Sequence, residues 1–117
     1  MLTAHHVNAF LVLATCALSA VAGFLAWRRR ATAGTTVAHL LALAQTLLVA
    51  QVGLGLLLLS DGQRAADHLH YAYGSFALLA VLAPWLYAPT DARARLAWFA
   101  GATAVAAALA VRAYMTA

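Results

Sequence analysis

The chain has 117 residues, of which 66% are hydrophobic and 9% are charged, and its mean hydropathy is +0.87. Soluble domains carry roughly a quarter charged residues, so this composition argues against a water-soluble fold and predicts an integral membrane protein. The seven basic residues and three acidic residues are all arginine and aspartate. Nucleic acid is not an expected partner, because binding it needs a dense basic face.

Four apolar stretches are long enough to cross a bilayer, which takes about 20 helical residues. In chain order they span residues 7–27, 36–59, 69–87 and 96–114. Backbone groups in lipid must pair within their own segment, so each stretch is expected to be a helix. The short connections predict an all-α, up-down-up-down four-helix bundle that forms one domain over residues 1–117. No arginine precedes the first stretch, which indicates a retained span rather than a cleaved signal.

The distribution of arginines predicts the orientation in the membrane. The first and third connections hold Arg28, Arg29, Arg30, Arg93 and Arg95, whereas the opposite side holds Arg64 and Arg112. Positively charged loops stay in the cytoplasm, so both termini are expected outside. The predicted location is the cell membrane, the inner membrane in a bacterium, with lipid around a multi-pass protein.

Small residues recur every four positions in three of the predicted helices, and such stripes let another helix approach closely. The stripes are Thr15, Ser19 and Gly23, then Ala42, Thr46 and Ala50, and finally Ala100, Ala104 and Ala108. We assign them packing roles and no chemistry. Cys16, the only cysteine, lies inside an apolar run and is expected to be a structural thiol.

Four of the five histidines, His5, His6, His68 and His70, lie at the outer ends of the first and third spans. These spans are diagonal neighbours in an up-down bundle, so His5 or His6 is expected to face His68 or His70 across the core. Two imidazoles at one depth suit the axial positions of a haem iron. Gly74 follows His70 by one helical turn and would leave room for a flat macrocycle. These five residues form the predicted cofactor site, with His6 and His70 assigned to the iron.

Two other interpretations of the histidines stay open. The histidines could be interfacial polar groups that cap helix starts, or His5, His6, His68 and His70 could join Asp67 in a copper or zinc site. His39 lies near the cytoplasmic start of the second span, so it cannot share a ligand set with the others. As an intramembrane polar group it is a functional candidate, although helix packing explains it equally well.

The order of these features resembles one half of the haem A synthases, which contain two fused four-helix bundles. His5-His6, followed by an apolar helix that ends in Trp27-Arg28-Arg29-Arg30, resembles the family's histidine-led first helix. Gln51-Val52-Gly53-Leu54-Gly55 is similar to its Q-x-x-L-G signature, and His68-Leu69-His70 resembles its second ligand position. The chain lacks the second half, and it contains no glutamate where the family has one before the first histidine.

The resemblance implies a bundle that binds haem b, without the haem hydroxylation of the full family. We therefore predict a small membrane cytochrome or haem-handling protein in a respiratory context, with quinone or a respiratory subunit as its partner. We assign no catalytic residue. The alternative is a non-catalytic accessory subunit of a larger membrane complex. A homodimer would rebuild the double bundle of the family.

Overall fold

The computed structural model describes residues 2–29 and 34–117, and this part of the chain is helical with short connections. Its helices are α1 (Leu2–Arg28), α2 (Thr35–Ser60), α3 (Leu69–Leu82), α4 (Pro84–Tyr87) and α5 (Ala92–Met115). Four segments are long and apolar enough to cross a membrane, namely α1, α2, α3 together with α4, and α5. The prediction of an all-α protein with four membrane-spanning segments is confirmed at this level. Arg30, used above for the orientation, lies outside the described residues.

Two helices begin earlier than their apolar runs, α1 at Leu2 and α5 at Ala92, rather than at residues 7 and 96. A helix continues through polar residues as long as its backbone hydrogen bonds are formed. In α5 the N-cap residue is Asp91, whose side chain accepts a hydrogen bond of 2.9 Å from the backbone N–H of Ala94. As a result, His5 and His6 lie within the first turns of α1 instead of preceding it.

The third span is interrupted rather than continuous. α3 ends at Leu82, and Pro84 is the first residue of the short helix α4. Proline has no backbone N–H to donate and its ring clashes with the preceding turn, so a helix readily breaks there. Ala83, between the two helices, keeps α-helical backbone angles (φ −54°, ψ −38°), so the interruption is a loss of regular hydrogen bonding at Pro84 rather than a non-helical connection.

The helices pack in a ring, in which α1 contacts α2 and α5, and α3 contacts α2 and α5. In the described part of the chain, α1 and α3 have no direct backbone contact and lie across the bundle from each other. α1 approaches α5 closely at Gly23, where a Cβ would lie 2.9 Å from the Cβ of Ala100. Other small residues are exposed on the outside, among them Ala42, Thr46, Ala50, Ala104 and Ala108.

The core is narrow and its side chains are small. Its central cluster consists of Val12, Cys16, Ala44, Leu48, Ala77, Val81 and Ala106. Large apolar side chains cover the outside on all the long helices, which is typical of helices that contact lipid. Two of the buried polar side chains are paired between helices: Ser19 donates to the carbonyl of Leu40 at 2.8 Å, and Gln45 accepts from Trp85 at 2.9 Å.

Candidate functional site

A cavity of about 730 Å³ lies at the end of the bundle where α1 begins and α5 ends. We call this the histidine end, because His5, His6 and His70 all line the cavity. Most of the other lining residues are apolar, such as Val12 and Leu48. Ligand pockets typically measure about 300–1,000 Å³ and combine apolar walls with a few polar groups, so the cavity has the size and lining of a binding site.

His5 and His70 meet in this cavity although their helices lie across the bundle from each other. The centroids of the two rings are 6.1 Å apart and the ring planes are inclined at 70°. His5 is buried and His70 is half-buried. The predicted approach of two imidazoles from the first and third spans is therefore present, through His5 and His70.

His70 is held in a defined orientation by α5. Its Nδ1 lies 2.7 Å from the carbonyl oxygen of Ala113. A carbonyl oxygen only accepts, so Nδ1 carries the proton and donates this hydrogen bond. In the neutral ring Nε2 then keeps its lone pair, and this is the usual arrangement of a histidine that ligates a metal.

His5 belongs to a chain of amide hydrogen bonds between α1 and α2. Asn8 donates to the side-chain oxygen of Gln51 at 2.9 Å and to the carbonyl of Leu47 at 3.0 Å. The Gln51 amide nitrogen therefore faces His5, and it lies 3.4 Å from Nε2 of that ring. The other ring nitrogen, Nδ1, is buried without a hydrogen-bond partner among residues 2–29 and 34–117. Because Gln51 donates to Nε2, the neutral ring carries its proton on Nδ1. Nε2 is therefore the nitrogen whose lone pair can bind a metal, and Nδ1 is left to donate to a ligand or water.

Two glycines shape the cavity in different ways. A Cβ at Gly55 would lie 3.4 Å from Cε1 of His5, so this glycine lets α2 pass close to the imidazole. A Cβ at Gly74 would meet no described atom within 4 Å. Gly74 therefore borders open space in the cavity, where the sequence predicted room for a macrocycle.

The remaining predicted ligands lie further from this pair. His6 is exposed, lines the cavity, and has its ring centroid 6.3 Å from that of His5. His68 precedes α3 as its exposed N-cap residue and is not among the lining residues. The structure thus brings His5 to His70, whereas the sequence assigned His6 to the iron together with His70.

The described residues contain no group of three or more histidine, cysteine, aspartate or glutamate side chains that could hold a metal ion. The proposed copper or zinc ligand Asp67 instead accepts a hydrogen bond of 2.9 Å from the backbone of Leu69 at the start of α3. His39 is exposed on α2 and does not line the cavity. The arrangement therefore offers two imidazoles and an apolar cavity, which suit a flat metal-containing cofactor better than a bare ion.

Sequence reasoning missed two parts of the site. Gln51, which the sequence marked only through the Q-x-x-L-G resemblance, contacts both Asn8 and His5. The sequence contains a signal for these contacts, because Asn8 follows His5 by about one helical turn and therefore lies on the same face of α1. Arg64, treated only as a topology signal, lines the cavity.

No family model, curated protein or solved structure matches this chain. The chemistry of the cavity must therefore be argued from its own residues.

Proposed function

We propose that the chain is a small membrane protein that binds haem b, with His5 and His70 as the axial ligands. The single observation that carries the proposal is the pair of imidazoles in one cavity, 6.1 Å apart between centroids. An imidazole nitrogen lies about 2 Å from a bound metal, so imidazoles on opposite sides of one iron have centroids about 6 Å apart. The resemblance to half of a haem A synthase supports the same cofactor.

The residues of the chain supply what such a site requires. The carbonyl of Ala113 orients His70 and leaves Nε2 for a metal. The amide of Gln51, fixed by Asn8, faces Nε2 of His5, the ring nitrogen whose lone pair would bind a metal in place of this contact. The apolar walls exclude water. His5 and His70 would hold the haem, which would supply electron-transfer chemistry, so electron transfer or haem handling in a respiratory context is the proposed role.

The proposed topology is up-down-up-down with both termini outside. It is supported by the order of the contacts between α1 and α2: His5 and Asn8 contact Gln51, whereas Ser19, further along α1, contacts Leu40, further back on α2. At the opposite end Arg93 donates to the carbonyl of Trp27 at 2.7 Å. This contact joins the end of α1, near Arg28, to the start of α5, and it supports grouping these arginines on one side of the membrane, as the orientation proposal requires.

The experiment is to purify the full chain in detergent after expression with ample haem and to record oxidised and reduced absorption spectra. We expect a Soret band and sharp α and β bands in the wild type. His5→Ala and His70→Ala should each abolish or shift these bands, because each removes one axial ligand. His68→Ala and His39→Ala are the matched controls and should leave the spectrum unchanged.

The same spectra separate this proposal from the accessory-subunit alternative. That alternative is supported by outward-facing small residues, such as Gly53 and Gly101, beside which a Cβ would meet no described atom within 4 Å. A folded wild-type protein that stays colourless with ample haem would favour it. Loss of the bands in His68→Ala but not in His5→Ala would contradict the ligand assignment.

A further inference from the structure

The mouth of the cavity contains one permanently charged side chain. Among the lining residues only Arg64 carries a fixed charge, and the others are apolar, polar or histidine. Arg64 lies in the connection between α2 and α3, at the same end as His5 and His70. A site that is apolar inside and cationic at its mouth is complementary to an amphipathic ligand with an acidic group at one end.

The backbone around Arg64 holds the guanidinium in place while leaving donors available. Its Nη1 donates to the carbonyls of Leu59 and Gln63 at 3.0 and 2.9 Å. Within the described part of the chain, the Nε and Nη2 donors meet no acceptor. The following residue is also anchored, because the backbone N–H of Ala65 donates to the hydroxyl of Tyr71 at 2.8 Å. Tyr71 belongs to α3 and itself lines the cavity, so the connection is tied to the wall of the site.

We infer that Arg64 binds the carboxylates of the ligand in this cavity, so that the site selects a porphyrin with free propionates over its neutral ester. The inference rests on the proposed function and adds to it the polar end of the ligand. Guanidinium is the side chain best suited to carboxylates, because its N–H groups pair with both oxygens. The ligand would lie with its apolar ring among the helices and its acid groups toward Arg64.

The test measures the affinities of haem b and of its dimethyl ester for the full chain in detergent, by Soret titration. Arg64 is exposed, so the wild type should prefer the free acid by about three- to tenfold. Arg64→Gln should lose this preference by weakening haem b binding while leaving ester binding unchanged. Arg112→Gln is the matched control: Arg112 is an exposed arginine on α5 that packs 5.5 Å from the Tyr73 ring and does not line the cavity. It should keep the wild-type preference.

The outcomes distinguish this inference from the function on which it rests. Equal preference for the free acid in wild type and Arg64→Gln would overturn the role of Arg64 while haem binding stands. Equal weakening of both ligands would also overturn it, because a general structural effect does not depend on the propionates. Absence of a Soret band with either porphyrin would overturn the haem proposal itself. If Arg64→Gln does not fold, Arg64→Lys, which keeps the charge, should retain a preference for the free acid, and its loss would count against the inference.

Discussion

Replacing Gln51 with leucine should tighten haem binding about two- to fivefold while leaving the bundle folded. Gln51 is the only described side chain that hydrogen-bonds a ring nitrogen of His5, and its amide donates to Nε2. Ligation needs the same lone pair, so binding through His5 costs this hydrogen bond, which contributes about 0.5–1.5 kcal/mol. The contact measures 3.4 Å, longer than a strong hydrogen bond, so the lower half of that range applies. Asn8 keeps its second hydrogen bond, to Leu47 at 3.0 Å, and is not left unsatisfied.

The matched control is Gln45→Leu, the same substitution on the same helix. It removes the 2.9 Å hydrogen bond from Trp85, and Gln45 does not line the cavity. Soret titration in detergent gives the affinity, and circular dichroism checks that both variants remain helical. We expect a tightened affinity for Gln51→Leu and a wild-type affinity for Gln45→Leu. Equal affinities in the two variants would refute the competition between Gln51 and the iron for Nε2 of His5.

Three further predictions concern the cavity and the packing. Gly74→Leu should fill the cavity and abolish haem binding in a folded protein, whereas Gly53→Leu on the exposed face of α2 should not; a wild-type Soret band in Gly74→Leu would contradict this. Gly23→Ala should destabilise the fold by about 1–3 kcal/mol, because its Cβ would lie 2.9 Å from that of Ala100. Adding Ala100→Gly should restore much of the stability in a denaturation assay, and no recovery would show that this contact is unimportant. Cys16, which is 0% exposed, should react with a maleimide only after denaturation, and rapid labelling of the native protein would contradict the packing.

The span positions could be predicted from hydropathy, since a bilayer imposes a length on every crossing helix. The segment from Leu69 to Tyr87 agrees with the prediction at both ends. Helix ends were less well predicted, because a helix continues into polar residues as long as its backbone stays paired. That is why α1 includes His5, although the apolar run begins at residue 7.

The choice between His5 and His6 was missed, and the burial pattern of the structure explains it. The buried residues of α1 are His5, Val12, Cys16, Ser19 and Gly23, which recur with the spacing of a coiled-coil seam. His5 lies one heptad before Val12 on this seam. In α3 His70 lies one heptad before the buried Ala77. Both histidines that meet therefore lie in register with buried positions of their helices.

Other features of the site depend on contacts between distant segments. The hydrogen bond from His70 to the carbonyl of Ala113 joins residues 43 positions apart. The acceptor is a backbone carbonyl, which every residue type has, so the identity of residue 113 does not indicate this hydrogen bond. The same holds for the position of Arg64 at the cavity mouth, because that depends on how the connection between α2 and α3 folds over the helices.

The most direct test of the account is the electron paramagnetic resonance spectrum of the ferric wild-type protein after loading with haem b in detergent. Ligation by the imidazoles of His5 and His70 predicts a low-spin signal, which His5→Ala and His70→Ala should convert to high spin. A wild-type spectrum dominated by high-spin iron, or by a low-spin signal that survives both substitutions, would contradict the ligation of one haem by these two histidines.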